Sequence, residues 1–364
     1  MKRMSLAATL ACLALPAAPA MAGGGDLHLY IWSDYITDAA IERFAAETGI
    51  NITVDVYDSN ETLEARMLAG SSGYDVVVPT ADFMQRQVSA GVYQPLNRDL
   101  LSNWGNMDEG LMATAASFDA GNAHAPIYMW GTTGIGYNID MIAERLGDDY
   151  EVNSWELVFN PEIAAQVADC GISFLDAPTE MIPGALAYLG LDPQSHAPED
   201  FEAAAELLTA AREHVRYFNS SQYISDLANG ETCVAVGWSG DVFQAADRAA
   251  EADQGVNVWY AIPNEGALVW FDMLAVPSDA PNVDNAHLFI DYLMQLDVIA
   301  EVTNYVWYAN ANRASWPMVD PEITGDPAIF PTQEVMDRLF TAVPYDSRTD
   351  RTLTRLWTRV RTGQ

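Results

Sequence analysis

Lysine is nearly missing from this chain of 364 residues. The only one is Lys2, and Lys and Arg together number 17 against 51 Asp and Glu. The resulting formal charge of −34 repels polyanions, which argues against nucleic acid and anionic lipid and leaves cationic ligands as the favoured partners. Acid spread over a surface also keeps it hydrated, so charge alone locates no site. Cysteine is scarce too, three residues in all, and the five histidines are scattered. None shows the close spacing of a zinc centre, so neither a metal nor another cofactor is expected. No segment reaches the roughly 18 to 20 uninterrupted apolar residues that a membrane-spanning helix needs. Internal repeats, low-complexity tracts and long charged linkers are absent as well.

What is present begins with a leader. Lys2 and Arg3 precede an apolar run from Leu6 to Leu15 and the small-residue sequence Ala20-Met21-Ala22. This is the pattern of a secretory signal peptide, residues 1–22, with cleavage expected after Ala22. Cys12 lies inside the apolar run and not at its far end, which disfavours a lipid anchor. Cleavage removes two cations and no acid, so the exported chain carries −36, and periplasmic location follows from export. It retains Cys170 and Cys233. In an oxidising compartment a disulfide between them is the expectation, and two buried free thiols are the alternative.

A mature chain of this length exceeds a usual single core, and half of its residues are apolar, so two lobes are expected. Near the N-terminus the pattern alternates strand and helix. Leu27 to Trp32 reads as a strand. Thr37 then caps a helix with an Ile41, Phe44, Ala45 stripe and Gly49 at its end. A strand over 51–57 follows, then the capping turn Asp58-Ser59-Asn60-Glu61, a helix from Thr62 to Ala69, and a strand from Tyr74 to Val78. This alternation implies right-handed crossovers and a mainly parallel α/β sheet, in which ligands sit beyond the carboxyl ends of the strands. Trp32-Ser33-Asp34-Tyr35 and Pro79-Thr80-Ala81-Asp82 fall at such ends. Further along, Gly171 to Leu175 and Thr232 to Trp238 read as buried strands, followed by Glu180 and Asp241.

Acids and flat aromatic residues recur together in Trp32/Asp34, Trp238/Asp241 and Trp270/Asp272. A lone Asp at a strand end is more often a cap, and a lone Trp on a strand is more often core. Their repetition points to a ligand that is an aliphatic stem carrying ammonium groups. Carboxylates meet the charges, and aromatic faces cover methylenes and offer cation–π contacts of roughly 0.5 to 2 kcal/mol each. Gly134-Ile135-Gly136 lacks the spacing of a phosphate loop and reads as a crossing between lobes.

Six motifs resemble the periplasmic putrescine- and spermidine-binding proteins of bacterial ABC transporters, over nearly the whole mature chain. They are Leu29-Tyr30-Ile31-Trp32-Ser33-Asp34-Tyr35, Asp58-Ser59-Asn60-Glu61, Tyr74-Asp75-Val76-Val77-Val78-Pro79, Thr132-Thr133-Gly134-Ile135-Gly136-Tyr137-Asn138, Ser173-Phe174-Leu175-Asp176-Ala177-Pro178 and Gly237-Trp238-Ser239-Gly240-Asp241, with Tyr308-Ala309-Asn310-Ala311-Asn312 beyond them. Their order is similar to the putrescine-type branch, as is the position of the cysteine pair. The resemblance implies a type II periplasmic binding protein fold with a two-strand hinge. Approximate limits are 23–133 with 258–305 for the N-terminal lobe, and 134–257 with 306–364 for the C-terminal lobe.

The ligand contacts implied by the resemblance are Trp32, Ser33, Asp34, Tyr35, Thr80, Asp82, Glu180, Trp238, Asp241, Trp270, Asp272 and Tyr308. The branch commonly has serine where this chain has Thr80 and Asp82, and phenylalanine where it has Trp270. The extra acid and the larger aromatic wall lead to the expectation that spermidine is accepted at least as well as putrescine. The implied partner is an inner-membrane permease, with the receptor a monomer and not an enzyme. The rivals are a receptor for another cationic or neutral solute, and a glycosidase using Asp241 and Asp272 as its carboxylate pair. An amino-acid ligand would call for an arginine clamp, and none of the implied contacts is Arg.

Overall fold

The computed structural model describes residues 24–363, so the leader assigned to 1–22 lies outside the described residues. Strand β1 (Gly25–Trp32) pairs in parallel with β2 (Ile50–Tyr57) and with β3 (Val76–Val77), giving the order β2-β1-β3. The helix between β1 and β2, Asp38–Thr48, starts as its sequence dictates, with Thr37 Oγ1 accepting from Ala40 N. It stops at Gly49, whose φ of 72° is open to glycine at little cost. The next helix, Asn60–Leu68, is capped by Ser59. Leu27, Leu29 and Ile31 are fully buried in the core.

The larger sheet is built on one long strand, β4 (Ile127–Asn138). Working outward, β7 (Val234–Trp238) pairs with its second half, followed by β5 (Ile172–Phe174) and β6 (Val215–Phe218). β8 (Val258–Ala261) pairs with Ile135 to Asn138, and β9 (Leu268–Met273) with Ile127 to Thr132. β10 (Ala309–Asn310) pairs with Trp130 and Met129, and β11 (Phe340–Thr341) with β9. Backbone bridges from Val77 to Ala275 and from Thr80 to Asp272 join the first sheet to the β9 segment. β4 therefore serves both halves of the molecule. A Cβ at Gly134 would lie 2.5 Å from the Ala261 carbonyl oxygen, and one at Gly136 would lie 2.7 Å from Val242, so these glycines permit close packing against β4.

Residues 258–261 pair with the second half of β4, whose other edge carries β7, and 309–310 pair with the first half, whose other edge carries β9. Asp108 N also donates to Ala311 O, fixing that segment to the first half. β8 and β9 follow one another along β4, so the chain crosses between them at 262–267.

Cys170 and Cys233 are joined by a disulfide, with Cα atoms 5.5 Å apart. They stand just before β5 and β7, which pair in parallel through Ile172 and Val234. The bridge closes a segment with a sequence separation of 63, for which chain entropy gives a stabilisation of about 4 kcal/mol as an upper figure. Reduction, or the double change Cys170→Ser with Cys233→Ser, is expected to lower the melting temperature by several degrees. Alkylation and mass spectrometry of the oxidised, denatured chain should find no free thiol at either position.

Candidate ligand-binding site

Between the two halves lies a cleft of about 700 Å³ of empty space, part of it open to solvent. The ends of β1, β7 and β9 meet there, together with the first turns of two helices. Trp32 closes β1, and its indole N–H donates to Val78 O at 2.9 Å. Asp34, in the following turn, adopts a positive φ of 53°. The next residue, Tyr35, is buried, and its hydroxyl donates to Asp272 Oδ2 at 2.8 Å. Thr80 Oγ1 donates to the other oxygen of Asp272 at 2.8 Å and accepts from Asn60 Nδ2. Both carboxylate oxygens of Asp272 on β9 are therefore held by hydroxyls from the first sheet.

The opposite wall repeats the device. Asp241 lies in the first turn of the helix Ser239–Ala252 and accepts from the Tyr308 hydroxyl at 2.6 Å and the Tyr223 hydroxyl at 2.7 Å. Glu180 lies in the first turn of the helix Pro178–Tyr188 and accepts from Thr133 Oγ1, on β4, at 2.5 Å. The unpaired N–H groups of a helix start carry a partial positive charge that favours an anion there. Aromatic faces fill the space between these acids. Trp32 and Trp238 approach edge to face at 5.7 Å, Tyr35 and Tyr308 at 5.3 Å, and Trp270 and Tyr308 at 5.3 Å.

Burial sets the electrostatics. Loss of water lifts the carboxyl of Asp241 to about 6, that of Asp272 to about 7 and that of Glu180 to about 8. The hydroxyl donors pull each of these in the opposite direction without cancelling the burial. The acids also raise one another: Asp82 acts on both Glu180 and Asp272, Asp272 on Glu180, and Asp241 on Asp272. A cation placed among them relieves both costs at once.

Eleven of the twelve implied contacts line this cleft: Trp32, Ser33, Asp34, Tyr35, Thr80, Glu180, Trp238, Asp241, Trp270, Asp272 and Tyr308. Asp82 is not among its lining residues. It occupies the first turn of the helix Ala81–Ser89, buried beside Arg86, and burial lifts its carboxyl to about 6. The structure thus gives Asp82 a place at a helix start, and of the two residues behind the spermidine expectation only Trp270 stands on the wall.

The cleft also holds residues the sequence did not single out. Asn60 reaches it because the capping turn folds under Thr80, Ser220 and Ser221 come from the segment leading into the helix Gln222–Ala228, and Ser225 comes from that helix. The notable addition is Arg248, on the same helix as Asp241, with Nη2 3.6 Å from Asp34 Oδ2. An arginine is therefore present in the wall, contrary to expectation, although Asp34 engages it. Its signal was the seven-residue interval from Asp241, which puts both on one helix face. Among the described residues no group of three His, Cys, Asp or Glu is placed to hold a metal ion.

Residues 39–332 match the family described as bacterial extracellular solute-binding protein. The chain is 50% identical over 338 residues to a putrescine-binding periplasmic protein of Pseudomonas aeruginosa, covering 93% of this chain and 92% of that one. It is 49% identical over 339 residues to a putrescine-binding periplasmic protein of Escherichia coli, with the same coverage. A solved spermidine/putrescine ABC transporter substrate-binding protein from Streptococcus pneumoniae shares the fold, with a TM-score of 0.77 at 23% identity over 93% of this chain and 99% of that one. A two-lobed α/β fold with a ligand cleft at the strand ends defines a solute receptor. The chain belongs to the bacterial extracellular solute-binding proteins.

The raised carboxyls fix the sign of a pH effect. A group whose pKa is higher folded than unfolded stabilises the fold fully below its unfolded value, near 4, and loses that contribution as pH rises through the folded value. For Asp241, Asp272 and Glu180 the loss falls between about pH 4 and 8. Thermal melts of the ligand-free protein should therefore show falling stability over that window. Glu180→Gln should flatten the fall, and a slope identical to that of the parent would count against the assignment.

Proposed function

We propose that this protein is a periplasmic receptor that captures polyamines, putrescine or spermidine, and delivers them as a monomer to the permease of an ABC importer in the inner membrane. The observation that carries the reading is the row of hydroxyl-held carboxylates, Asp272 buried and Glu180 and Asp241 half-buried, interleaved with tryptophan and tyrosine faces. Ammonium groups at intervals along a hydrocarbon stem satisfy that row, and a neutral solute leaves it costly. The names of the relatives point the same way. The carboxylates act in binding and not in catalysis, and the twelve residues named from the sequence, less Asp82, make the contacts.

The lobes follow from the strand pairing. One comprises the residues before the middle of β4 together with β9 and β10, and the other comprises β5 to β8 with the C-terminal helix Ser347–Thr362. The chain crosses between them within β4 and again at 262–267, and these two crossings form the hinge. Ligand charge favours the closed arrangement, because only there do acids from both lobes face the same cation.

Asp241→Asn and Asp272→Asn are each expected to weaken putrescine binding by about 2 to 5 kcal/mol, the range for removing one partner of a buried charge pair. Calorimetry on ligand-stripped protein measures this, and near-parental affinity in both variants would overturn the assignment. Because the ligand prefers the ionised acids, affinity is also expected to fall as pH drops from 8 to 6. A flat profile would show that Glu180 and Asp272 do not face the cation.

A further inference from the structure

We infer that Arg248 determines ligand specificity: by pairing with Asp34 at the mouth of the cleft it restricts the site to ligands with two ammonium groups. The inference rests on the polyamine reading and names the substrate class within it.

The acids of the cleft are strung in an order. Tyr35 bonds Asp272 and packs on Tyr308, which bonds Asp241, so Asp272 and Asp241 are neighbours across one pair of rings. Asp34 directly precedes Tyr35 and raises Asp241, while Glu180 is raised by Asp82 and by Asp272. A polycation held by Asp272 and Asp241 therefore has Asp34 as its next acid beyond Asp241.

Asp34 is the one acid of this row that already has a cation. Arg248 lies two helical turns beyond Asp241 on the same helix face, hydrogen-bonds Gln244 Oε1 at 3.4 Å and brings Nη2 to 3.6 Å from Asp34 Oδ2. Among the described residues it is the only cationic one lining the cleft. An ammonium drawn to Asp34 would lie against a guanidinium, a like charge. The pair is a poor candidate for a stability device, since its side chains are 39% and 46% exposed and solvent screens such bridges. Asp34 moreover holds a backbone conformation that non-glycine residues rarely adopt. A built-in like charge set against an unwanted partner is a recognised route to specificity.

The test is a titration of folded, ligand-stripped protein with putrescine and with spermidine by calorimetry, using the parent, Arg248→Gln, Arg248→Lys and the double change Asp34→Asn with Arg248→Gln. The parent should prefer putrescine. Removing the charge in Arg248→Gln should raise the spermidine-to-putrescine affinity ratio about tenfold, a shift typical of one relieved like-charge contact. Arg248→Lys should keep the parental ratio, and the double change should return towards it because the carboxylate is gone. If Arg248 is only a strap between the lobes, both ligands weaken by the same factor in Arg248→Gln, and that result overturns the inference. So does an unchanged ratio, which would follow if a third ammonium goes to Asp58, the other exposed acid of the wall. Spermidine preference in the parent overturns it too. A parent that binds neither polyamine refutes the proposed function instead, which separates the two failures.

Discussion

Keeping carboxylates in a dry place is the constraint around which this molecule is arranged. Asp272 is buried, Asp241 and Glu180 are half-buried, and all three are held chiefly by hydroxyl groups, with a helix start adding to Asp241 and Glu180. Those compensating groups come from distant parts of the chain. Tyr35 and Thr80 are supplied by the first sheet, Thr133 by β4, Tyr223 by the second lobe and Tyr308 by the turn after the helix Leu296–Val306. Positioning three acids therefore requires most of the architecture. The compensation is also incomplete, as the raised carboxyls show, and that remaining deficit is what a cationic ligand removes.

The N-terminal strand–helix–strand unit was legible in the sequence because its signals are local. Thr37, Gly49 and Ser59 act through hydrogen bonds and backbone angles within a few residues of themselves. The acids and aromatics of the cleft were legible for a different reason, as repeated pairs at strand ends. Asp82 is ambiguous in sequence because an acid at a helix start looks the same whether it faces a ligand or only the helix's own amides. Arg248 was missed because mid-helix arginines are ordinarily solvated. Only the packing of its helix against β4 and β8 turns that face toward Asp34. The placement of 258–261 and 309–310 was not legible, because it depends on long-range pairing with β4, to which hydrophobic pattern is blind.

The cross-cleft contacts give the binding site two layers with different physics. Inside, hydroxyl-held acids sit in low dielectric, where a charge interaction is strong and poorly screened. At the rim, Trp32 against Trp238 and Asp34 against Arg248 are half in water. Such a rim adds little to affinity and much to discrimination, because its groups exclude more ligands than they attract.

The path of the chain through β4 bears on how the protein is made. One lobe receives its last β4-pairing segment only at β10, residues 309–310, after the whole of the other lobe's β5 to β8 has been threaded in between. A growing chain cannot complete that lobe's core until most of its length is available, and pairings so distant in sequence form slowly. In the exported receptor proposed above, such delay would be an asset, since discontinuous lobes postpone folding until most of the chain has been delivered.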